Sequence, residues 1–143
     1  MSNAPEPLAI EVTAGLIQDD AGRYLITQRV PGSHLQGLWE FPGGKRDPGE
    51  TLEGCLRREL AEELGATFEI AERVDTVRWA YPEKTIVLHF FRCRHASGTI
   101  APRESQEMMW VAPERLCDYR FPPADAAIIA RLSRGPGAAP APR

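Results

Sequence analysis

The sequence lacks the features that mark several large protein classes. It has no apolar run of about 18 residues, so no membrane-spanning helix is predicted, and residues 1–7 lack the apolar segment of a secretory signal. Cys55, Cys93 and Cys117 are odd in number and widely spaced, which disfavours a disulfide framework or a Cys-x-x-Cys metal site. We therefore predict a cytoplasmic protein with reduced thiols.

Positive charge is also scarce where a nucleic-acid-binding protein needs it. The 17 Lys and Arg residues are outnumbered by 20 Asp and Glu, the net charge is −3, and no basic run occurs. A protein that binds duplex nucleic acid presents a basic surface to the phosphates. We expect neither duplex nucleic acid nor a membrane as a partner, and we expect an anionic substrate to be bound through a metal ion.

Chain length sets a further limit on the architecture. With 143 residues and 43% hydrophobic content, the sequence can fill the core of one domain but has no room for a second catalytic domain. We predict one domain over residues 8–134, with flexible segments at 1–7 and 135–143. The second of these segments, GPGAAPAPR, has no core-forming content.

The most informative stretch lies between Gly43 and Ala66, where a glycine-rich loop leads into a predicted helix. The helix is expected over residues 51–65. Thr51 is a suitable N-cap after the turn residues that precede it, and Gly65 is a suitable C-terminal stop. The sequence thus predicts a loop and a helix that act as one unit.

This helix carries a leucine stripe with carboxylates beside it. Glu59, Glu62 and Glu63 share an arc next to the apolar stripe. Three carboxylates on one arc repel one another unless a positive charge lies between them. No His or Cys lies in that arc, so the ligands would all be oxygens, which suits Mg²⁺ or Mn²⁺ and not zinc. The stripe consists of Leu52, Leu56, Leu60 and Leu64.

The same residues resemble the signature of the Nudix hydrolase family, Gly-x5-Glu-x7-Arg-Glu-U-x-Glu-Glu-x-Gly-U, where U is a bulky aliphatic residue. The chain matches it at Gly44, at Glu50 and through the run RELAEELGA at 58–66. Every fixed position is present, and the departure is Ala66 at the last aliphatic position. A charged surface helix, the alternative interpretation, does not require this spacing.

Strands are predicted on both sides of this signature. Alternating, β-branched segments at 8–18 and 23–30 are expected to form a hairpin through a turn at 19–22. Together with the resemblance, the pattern implies an α/β fold, a single-domain α/β/α sandwich with a mixed β-sheet. The other predicted segments are a loop at 31–37, strands at 67–81 and 85–95, a short strand through Trp110 and Val111, and a last helix at 126–132.

The resemblance, which runs from about residue 8 to residue 132 and is closest to the MutT-like branch, implies a metal site. In the family, this signature is called the Nudix box. Its glutamates and the carbonyl of its first glycine hold the metal. A further glutamate reaches the site from a later loop, where Glu104 matches by position and Glu107 is the rival. The implied ligands are Gly44, Glu59, Glu62, Glu63 and Glu104.

Two box residues are implied to support these ligands. Arg58 is expected to orient the carboxylates through bidentate pairs, and Glu50 is expected to support the loop or a metal-bound water. The general base differs among family members, so Glu59 and Glu104 are both candidates for that role.

Four residues are implied to contact the substrate. Arg29 matches an arginine that contacts the phosphate or sugar, and Lys45 would add positive charge beside the phosphates, although either could be an ordinary solvated side chain. Phe41, like Trp39, could stack on a base or fill the core. Asp125 closes the segment FPPAD, which resembles the Phe-Pro-Pro-Ala-Asn segment whose asparagine reads the base.

Asp125 also carries the prediction of base preference. An ionised aspartate only accepts hydrogen bonds, so it must face donors such as N1–H and the exocyclic amine of guanine. The alternative is that Asp125 caps the last helix. His89, in an alternating run without a nearby His or Cys, is interpreted as a packed or edge histidine with no role.

The implied activity is hydrolysis of nucleoside triphosphates to a monophosphate and pyrophosphate. Oxidised or normal guanine nucleotides, such as 8-oxo-dGTP in nucleotide-pool sanitation, are favoured, and CTP or 5-methyl-dCTP is the alternative. ADP-ribose and dinucleoside polyphosphates are disfavoured by the resemblance outside the box. A nucleotide-sensing module without turnover is the contrasting class, but such modules typically lose box glutamates, which this chain keeps. Monomer and homodimer are both open.

Overall fold

The computed structural model describes residues 9–30, 32 and 37–134. The segments predicted to be flexible, 1–7 and 135–143, and most of the predicted loop at 31–37 lie outside the described residues. The elements are β1 (Ala9–Ile17), β2 (Tyr24–Gln28), β3 (Trp39–Glu40), β4 (Gly43–Lys45), α1 (Leu52–Leu64), β5 (Thr67–Ala80), β6 (Thr85–Ser97), β7 (Met108–Val111), short 3₁₀ helices at Pro113–Asp118 and Pro123–Asp125, and α2 (Ala126–Ser133).

The strands form two sheets. The larger sheet has the order β4-β1-β6-β5 and is mixed, because β1 runs parallel to β6 while the β1–β4 and β5–β6 pairs are antiparallel. The smaller sheet, β3-β2-β7, is antiparallel throughout. The predicted mixed α/β architecture is confirmed.

The hairpin predicted for the first two strands is wrong. β1 belongs to the larger sheet and β2 to the smaller one, and the two are joined by an isolated antiparallel bridge between Gln18 and Tyr24. The turn itself forms, with the Asp19 N–H donating to the Arg23 carbonyl at 3.0 Å. Both edges of β1 are already paired with β4 and β6, so β2 has no edge of β1 on which to continue.

Two apolar layers lie on opposite faces of the larger sheet. Leu16 and Ile17 are adjacent in β1 and therefore point to opposite faces, Leu16 toward the layer that contains α2 and Ile17 toward the layer that contains α1. Each helix buries its apolar stripe against one of these layers, which produces the predicted α/β/α sandwich. Among the described residues, no helix is both long and apolar enough to cross a membrane.

Local sequence signals set both ends of α1. The Thr51 side chain accepts from the Gly54 N–H at 3.0 Å, and Gly65 has a φ of 68° and donates to the Ala61 carbonyl at 2.9 Å. A left-handed φ of this kind favours glycine, which explains why the helix ends there. Cys55, Cys93 and Cys117 are free thiols.

Candidate active site

Arg58 lies at the centre of an acidic cluster formed by α1 and the loop before it. Its Nε and Nη2 donate to the two carboxylate oxygens of Glu50 at 2.7 and 2.8 Å, and its Nη1 donates to Glu59 at 2.9 Å. Nη1 also contacts both oxygens of Glu62 at 3.3 Å. Hydrogen bonding to Arg58 lowers the pKa of Glu50 to about 2. The guanidinium thus fixes the directions of the surrounding carboxylates.

Glu63 is the buried member of the cluster. Its side chain is 8% exposed, and its Oε2 accepts from the Gly43 N–H at 3.1 Å. Burial raises the pKa of Glu63 to about 9. Nearby negative charges add to this shift; in order of size they come from Glu40, Glu59 and Glu104. Burial also raises the pKa of Glu59. A positive charge placed here would relieve both effects.

Gly44 is required by the close approach of Glu59. A Cβ atom on Gly44 would lie 2.3 Å from the Cδ of Glu59 and 2.4 Å from its Oε2, so any larger residue would displace the carboxylate. The Gly44 carbonyl accepts from the Thr13 hydroxyl at 3.2 Å and from the Cys55 thiol at 3.6 Å. The segment that contains Gly43 and Gly44, which we call the glycine loop, therefore lies closely between β1 and α1.

The donor set fits a hard divalent cation. It offers carboxylate and carbonyl oxygens, two of its carboxyls have raised pKa values, and a glycine cradle holds one of them. In the part of the chain that the structure describes, however, no three acidic, His or Cys side chains are gathered closely enough to hold a metal ion. Glu59 and Glu62 are directed at Arg58 instead, so closing around a cation requires them to rotate.

The loop at 98–107 brings Glu104 to the same place. The loop is attached to α1 through the Arg103 N–H, which donates to the Glu63 carbonyl at 2.8 Å. The charge of Glu104 contributes to the raised pKa of both Glu59 and Glu63, which shows that it lies within electrostatic reach of them. Glu107 precedes β7, where its carbonyl accepts from β2.

A cleft of about 350 Å³ opens beside the cluster, a volume typical of small-molecule sites. β1 and β6 form its floor, the glycine loop lies at one side, and the segment before α2 lies at another. Its charged and polar lining includes Thr13, Arg29, Glu40, Lys45, Tyr81, Lys84 and Asp125.

Arg29 and Glu40 form an ion pair in the cleft, with Nη2 and Oε2 3.0 Å apart. The Nε of Arg29 is buried, and among the described residues it has no hydrogen-bond partner. A buried N–H without an acceptor is costly, so a ligand oxygen that accepts from it would be bound favourably. Burial raises the pKa of Glu40 despite this ion pair.

Asp125 is buried in the cleft, with 4% exposure. Asp125 stands at the N-cap position of α2, but its side chain makes no capping hydrogen bond, so the alternative interpretation as a side-chain helix cap is wrong. Burial raises the pKa of Asp125 to about 7, helped by the charge of Glu40 and opposed by Arg29. Near neutral pH the carboxyl therefore exists both as an ionised acceptor and as a protonated donor, so the expectation of an ionised aspartate alone is incomplete.

The two aromatic residues before the box are placed differently from each other. Phe41 is 3% exposed and packs on Phe121 at 5.3 Å between ring centroids, yet it also lines the cleft. Trp39 is half-buried and packs edge-on against Tyr119 at 5.6 Å. Phe41 is thus a core residue that forms part of the cleft wall.

Sequence reasoning missed Glu40, Tyr81 and Lys84. Glu40 directly precedes Phe41, and that position in a strand leading to the glycine loop was the available signal. Tyr81 and Lys84 flank the turn between β5 and β6, where the Tyr81 N–H donates to the Lys84 carbonyl at 2.7 Å. Only the folded sheet brings this turn to the cleft.

His89 lies apart from the cleft lining. It is buried, its Nε2 contacts a carboxylate oxygen of Glu11, and its Nδ1 lies 3.2 Å from the Nη1 of Arg73. It is a packed histidine, as the sequence indicated.

Comparison with known proteins identifies the family. A model of the NUDIX domain matches residues 13–131. The chain is 42% identical over 123 residues to the 8-oxo-dGTP diphosphatase of Haemophilus influenzae, covering 86% of this chain and 90% of that protein. It is 38% identical over 120 residues to the CTP pyrophosphohydrolase of Escherichia coli, covering 84% and 88%. The crystal structure of a MutT protein from Methanosarcina mazei superposes with a TM-score of 0.80 at 26% identity, covering 92% of this chain and 97% of the other. The chain belongs to the Nudix family and is a MutT-like Nudix hydrolase.

Proposed function

We propose that this hydrolase is a metal-dependent, cytoplasmic pyrophosphohydrolase that cleaves nucleoside triphosphates to monophosphates and pyrophosphate, with 8-oxo-dGTP and dGTP as the favoured substrates. The observation that carries the proposal is the cleft itself. It places a buried, titratable group, Asp125, in the same 350 Å³ space as the glycine loop that meets the acidic cluster. A site for a nucleotide needs two parts, one that binds the base and one that binds the phosphates, and the cleft offers a candidate for each.

At the phosphate end, carboxylates of α1 and of the following loop would hold Mg²⁺ or Mn²⁺. A divalent cation bound there supplies positive charge to phosphate oxygens and acidifies water, effects worth several kcal/mol in total. Arg58 keeps its neighbours oriented, and Glu50 anchors Arg58 through the bidentate pair. Either Glu59 or Glu104 serves as general base. The proposed ligands are Glu59, Glu62, Glu63 and Glu104 with the carbonyl of Gly44.

At the substrate end, three side chains would recognise the nucleotide. The Nε of Arg29, which has no hydrogen-bond partner among the described residues, would donate to a phosphate or sugar oxygen, and Lys45, at the cleft edge, would add positive charge. The ring of Phe41 would form an apolar wall for the base.

Asp125 would decide which base is accepted. In its ionised form it accepts from the N1–H and amine of guanine, and 8-oxoguanine adds an N7–H. Uracil and thymine present a carbonyl at that place, which would leave the ionised carboxylate buried without a partner. The name of the Haemophilus relative, 8-oxo-dGTP diphosphatase, supports the guanine preference.

A second candidate substrate is CTP or 5-methyl-dCTP. Its support is the 38% identity to a CTP pyrophosphohydrolase. An ionised Asp125 could accept from the single exocyclic amine of cytosine, so the carboxylate permits this substrate as well. Cytosine offers fewer donors than guanine, which is why we place it second.

A substrate panel tests the proposal. We would measure kcat/KM with Mg²⁺ for 8-oxo-dGTP, dGTP, dCTP, 5-methyl-dCTP, dTTP and ADP-ribose, and identify the products. The proposal requires pyrophosphate release, with the guanine nucleotides first and dTTP well behind. A clear preference for the cytosine nucleotides would replace the main substrate by the second candidate. A preference for ADP-ribose would overturn both.

A further inference from the structure

The side chain of Gln106 bridges helix α1 and the loop that carries Glu104. Its Nε2 donates to the backbone carbonyl of Glu63 at 2.9 Å, and its Oε1 accepts from the backbone N–H of Glu104 at 2.8 Å. Gln106 itself is half-buried. The amide of Gln106 therefore joins the main chains of Glu63 and Glu104, which are 41 positions apart in the sequence.

The backbone between these bonds is strained. Ser105 has a φ of 60° and is the one non-glycine residue in the described part of the chain with a positive φ. A side chain disfavours this conformation, which persists where the surroundings hold it in place. The hydrogen bond from the Glu104 N–H to Gln106 closes the turn around Ser105 and supplies such a constraint.

Further backbone bonds hold the same loop on the C-terminal end of α1. The Arg103 N–H donates to the Glu63 carbonyl at 2.8 Å, and the Ala101 N–H donates to the Leu64 carbonyl at 3.0 Å. The carbonyl of Glu63 thus accepts two bonds, one from the loop backbone and one from Gln106. Arg103 precedes Glu104 in the chain and Gln106 follows it. The bond from Gln106 therefore holds the part of the turn that lies after Glu104.

This attachment opposes an electrostatic force. Glu104 is exposed and lies within electrostatic reach of the carboxyl groups of Glu59 and Glu63. Like charges in a mobile loop would move apart into solvent, where water screens them. A loop that keeps Glu104 near the other carboxylates therefore needs an attachment that resists this repulsion, and the amide of Gln106 supplies one.

We infer that Gln106 is a positioning residue: it holds the Glu104 carboxylate beside Glu59 and Glu63, so that carboxylates from both the helix and the loop can bind one divalent cation. This inference rests on the proposed role of Glu104 as a metal ligand. The proposed positioning role differs from a merely structural role, in which Gln106 would stabilise the loop without affecting metal affinity.

The test is a double-mutant cycle in which the measured quantity is the affinity of the substrate-free protein for Mn²⁺. Electron paramagnetic resonance measures the free and bound Mn²⁺. Gln106→Met keeps the side-chain length and removes both hydrogen bonds. Loss of a residue that orients a metal ligand typically weakens binding by about 10- to 100-fold, and we expect roughly the lower value. In the Glu104→Gln background, Gln106→Met should have almost no further effect, because the ligand that it positions is already lost.

Two control variants accompany the cycle. Gln18→Met removes two side-chain bonds in a remote turn, one to the Gly22 carbonyl at 3.0 Å and one from the Arg92 Nη1 at 3.4 Å, and should leave Mn²⁺ affinity unchanged. Glu107→Gln removes a neighbouring charge without touching the bridge, and should do the same. If Gln106→Met fails to fold, Gln106→Asn takes its place, because the shorter amide cannot span both partners.

Each outcome decides between the two roles. If Glu104→Gln weakens Mn²⁺ binding while Gln106→Met lowers only the melting temperature in EDTA, the positioning role is overturned and the proposed metal site stands. If the two substitutions weaken binding additively, Gln106 does not act through Glu104, and the inference also falls. If Glu104→Gln leaves Mn²⁺ affinity unchanged, Glu104 is not a ligand, and that part of the proposed function falls together with the inference.

Discussion

At the scale of single residues, ionisation of Glu63 is opposed by burial and by neighbouring carboxylates. Its pKa of about 9 leaves it mostly protonated at neutral pH in the absence of a cation. A bound divalent cation would reverse that balance, because it favours the charged form. Glu63 is therefore the residue whose substitution reports most directly on the acidic cluster.

We expect Glu63→Gln, and likewise Glu62→Gln, to lower kcat by at least about 100-fold at saturating Mg²⁺ with the fold intact, since electrostatic stabilisation of the transition state is a dominant contribution. Glu53→Gln is the matched control, because Glu53 lies on the same helix outside the cluster. Steady-state pyrophosphate release measures all three. Turnover of Glu63→Gln close to that of the wild type would remove the carboxylate from the catalytic site.

The base preference should depend on pH through Asp125. Its pKa of about 7 is above the usual 3.8, so the carboxyl is protonated below pH 7 and ionised above it. Guanine donors require the ionised form, whereas a thymine carbonyl can accept from the protonated form. The ratio of kcat/KM for 8-oxo-dGTP to that for dTTP should rise by up to about 100-fold from pH 6 to pH 8, because the ratio of ionised to protonated carboxyl increases about tenfold with each pH unit.

Asp125→Asn is the matched variant for that measurement. An asparagine does not titrate in this range, so the pH dependence of the ratio should disappear. Should the ratio follow the wild-type profile, with the same ranking of substrates, then Asp125 does not read the base.

At the scale of elements, the glycine loop and α1 form one unit, because Gly44 and Glu59 occupy adjacent space. We expect Gly44→Ala to lower kcat and Mn²⁺ affinity by about tenfold or more, since the new methyl group would displace the Glu59 carboxylate, and displacements of about 1 Å at an active site can cost that much. Gly54→Ala, which adds a methyl group to α1 away from the carboxylates, is the control. Wild-type metal affinity in Gly44→Ala would show that the position of Glu59 is not critical.

The sequence was sufficient for elements that local signals define. The cap at Thr51, the glycine at 65 and the leucine stripe predicted α1 within one residue at each end. The hairpin failed because the partners of β1 are strands distant in sequence, and a local pattern cannot show that both of its edges are taken.

The candidate site divides in the same way. Arg58, Glu59, Glu62 and Glu63 were predictable because their fixed spacing along α1 places them on one side of the helix. Glu40 and Lys84 were missed because the sheet, and not the local chain, places them in the cleft. The raised pKa of Asp125 depends on burial by distant elements, which the segment FPPAD does not reveal.

At the scale of the whole molecule, buried carboxyls make stability depend on pH and on metal. In the folded protein Glu63 holds its proton up to about pH 9, whereas in the unfolded chain it loses it near 4.5. Between these values the unfolded chain binds fewer protons, so the free energy of unfolding falls as pH rises. Glu59 and Glu40, whose pKa values are also raised, act in the same direction.

In EDTA, the melting temperature should therefore decrease from pH 5 to pH 9 by several degrees, and Mg²⁺ should restore most of the loss at pH 8 to 9, because it binds the ionised carboxylates of the folded state only. Differential scanning fluorimetry with and without millimolar Mg²⁺ measures this. The benefit of Mg²⁺ should be smaller in Glu63→Gln. Identical melting curves in EDTA and Mg²⁺ at every pH would count against a metal site in this cluster.

The central claim is that the acidic cluster and the cleft together hydrolyse a nucleoside triphosphate between its α and β phosphates with a divalent cation. Its most direct test is to incubate 8-oxo-dGTP with the wild-type protein and Mg²⁺, with the same protein in EDTA, and with Glu63→Gln and Mg²⁺, and to separate the products by ion-exchange chromatography. We expect 8-oxo-dGMP and pyrophosphate in equal amounts from the wild type with Mg²⁺, and almost none from the other two. Orthophosphate in place of pyrophosphate, or equal turnover in all three reactions, would contradict the claim.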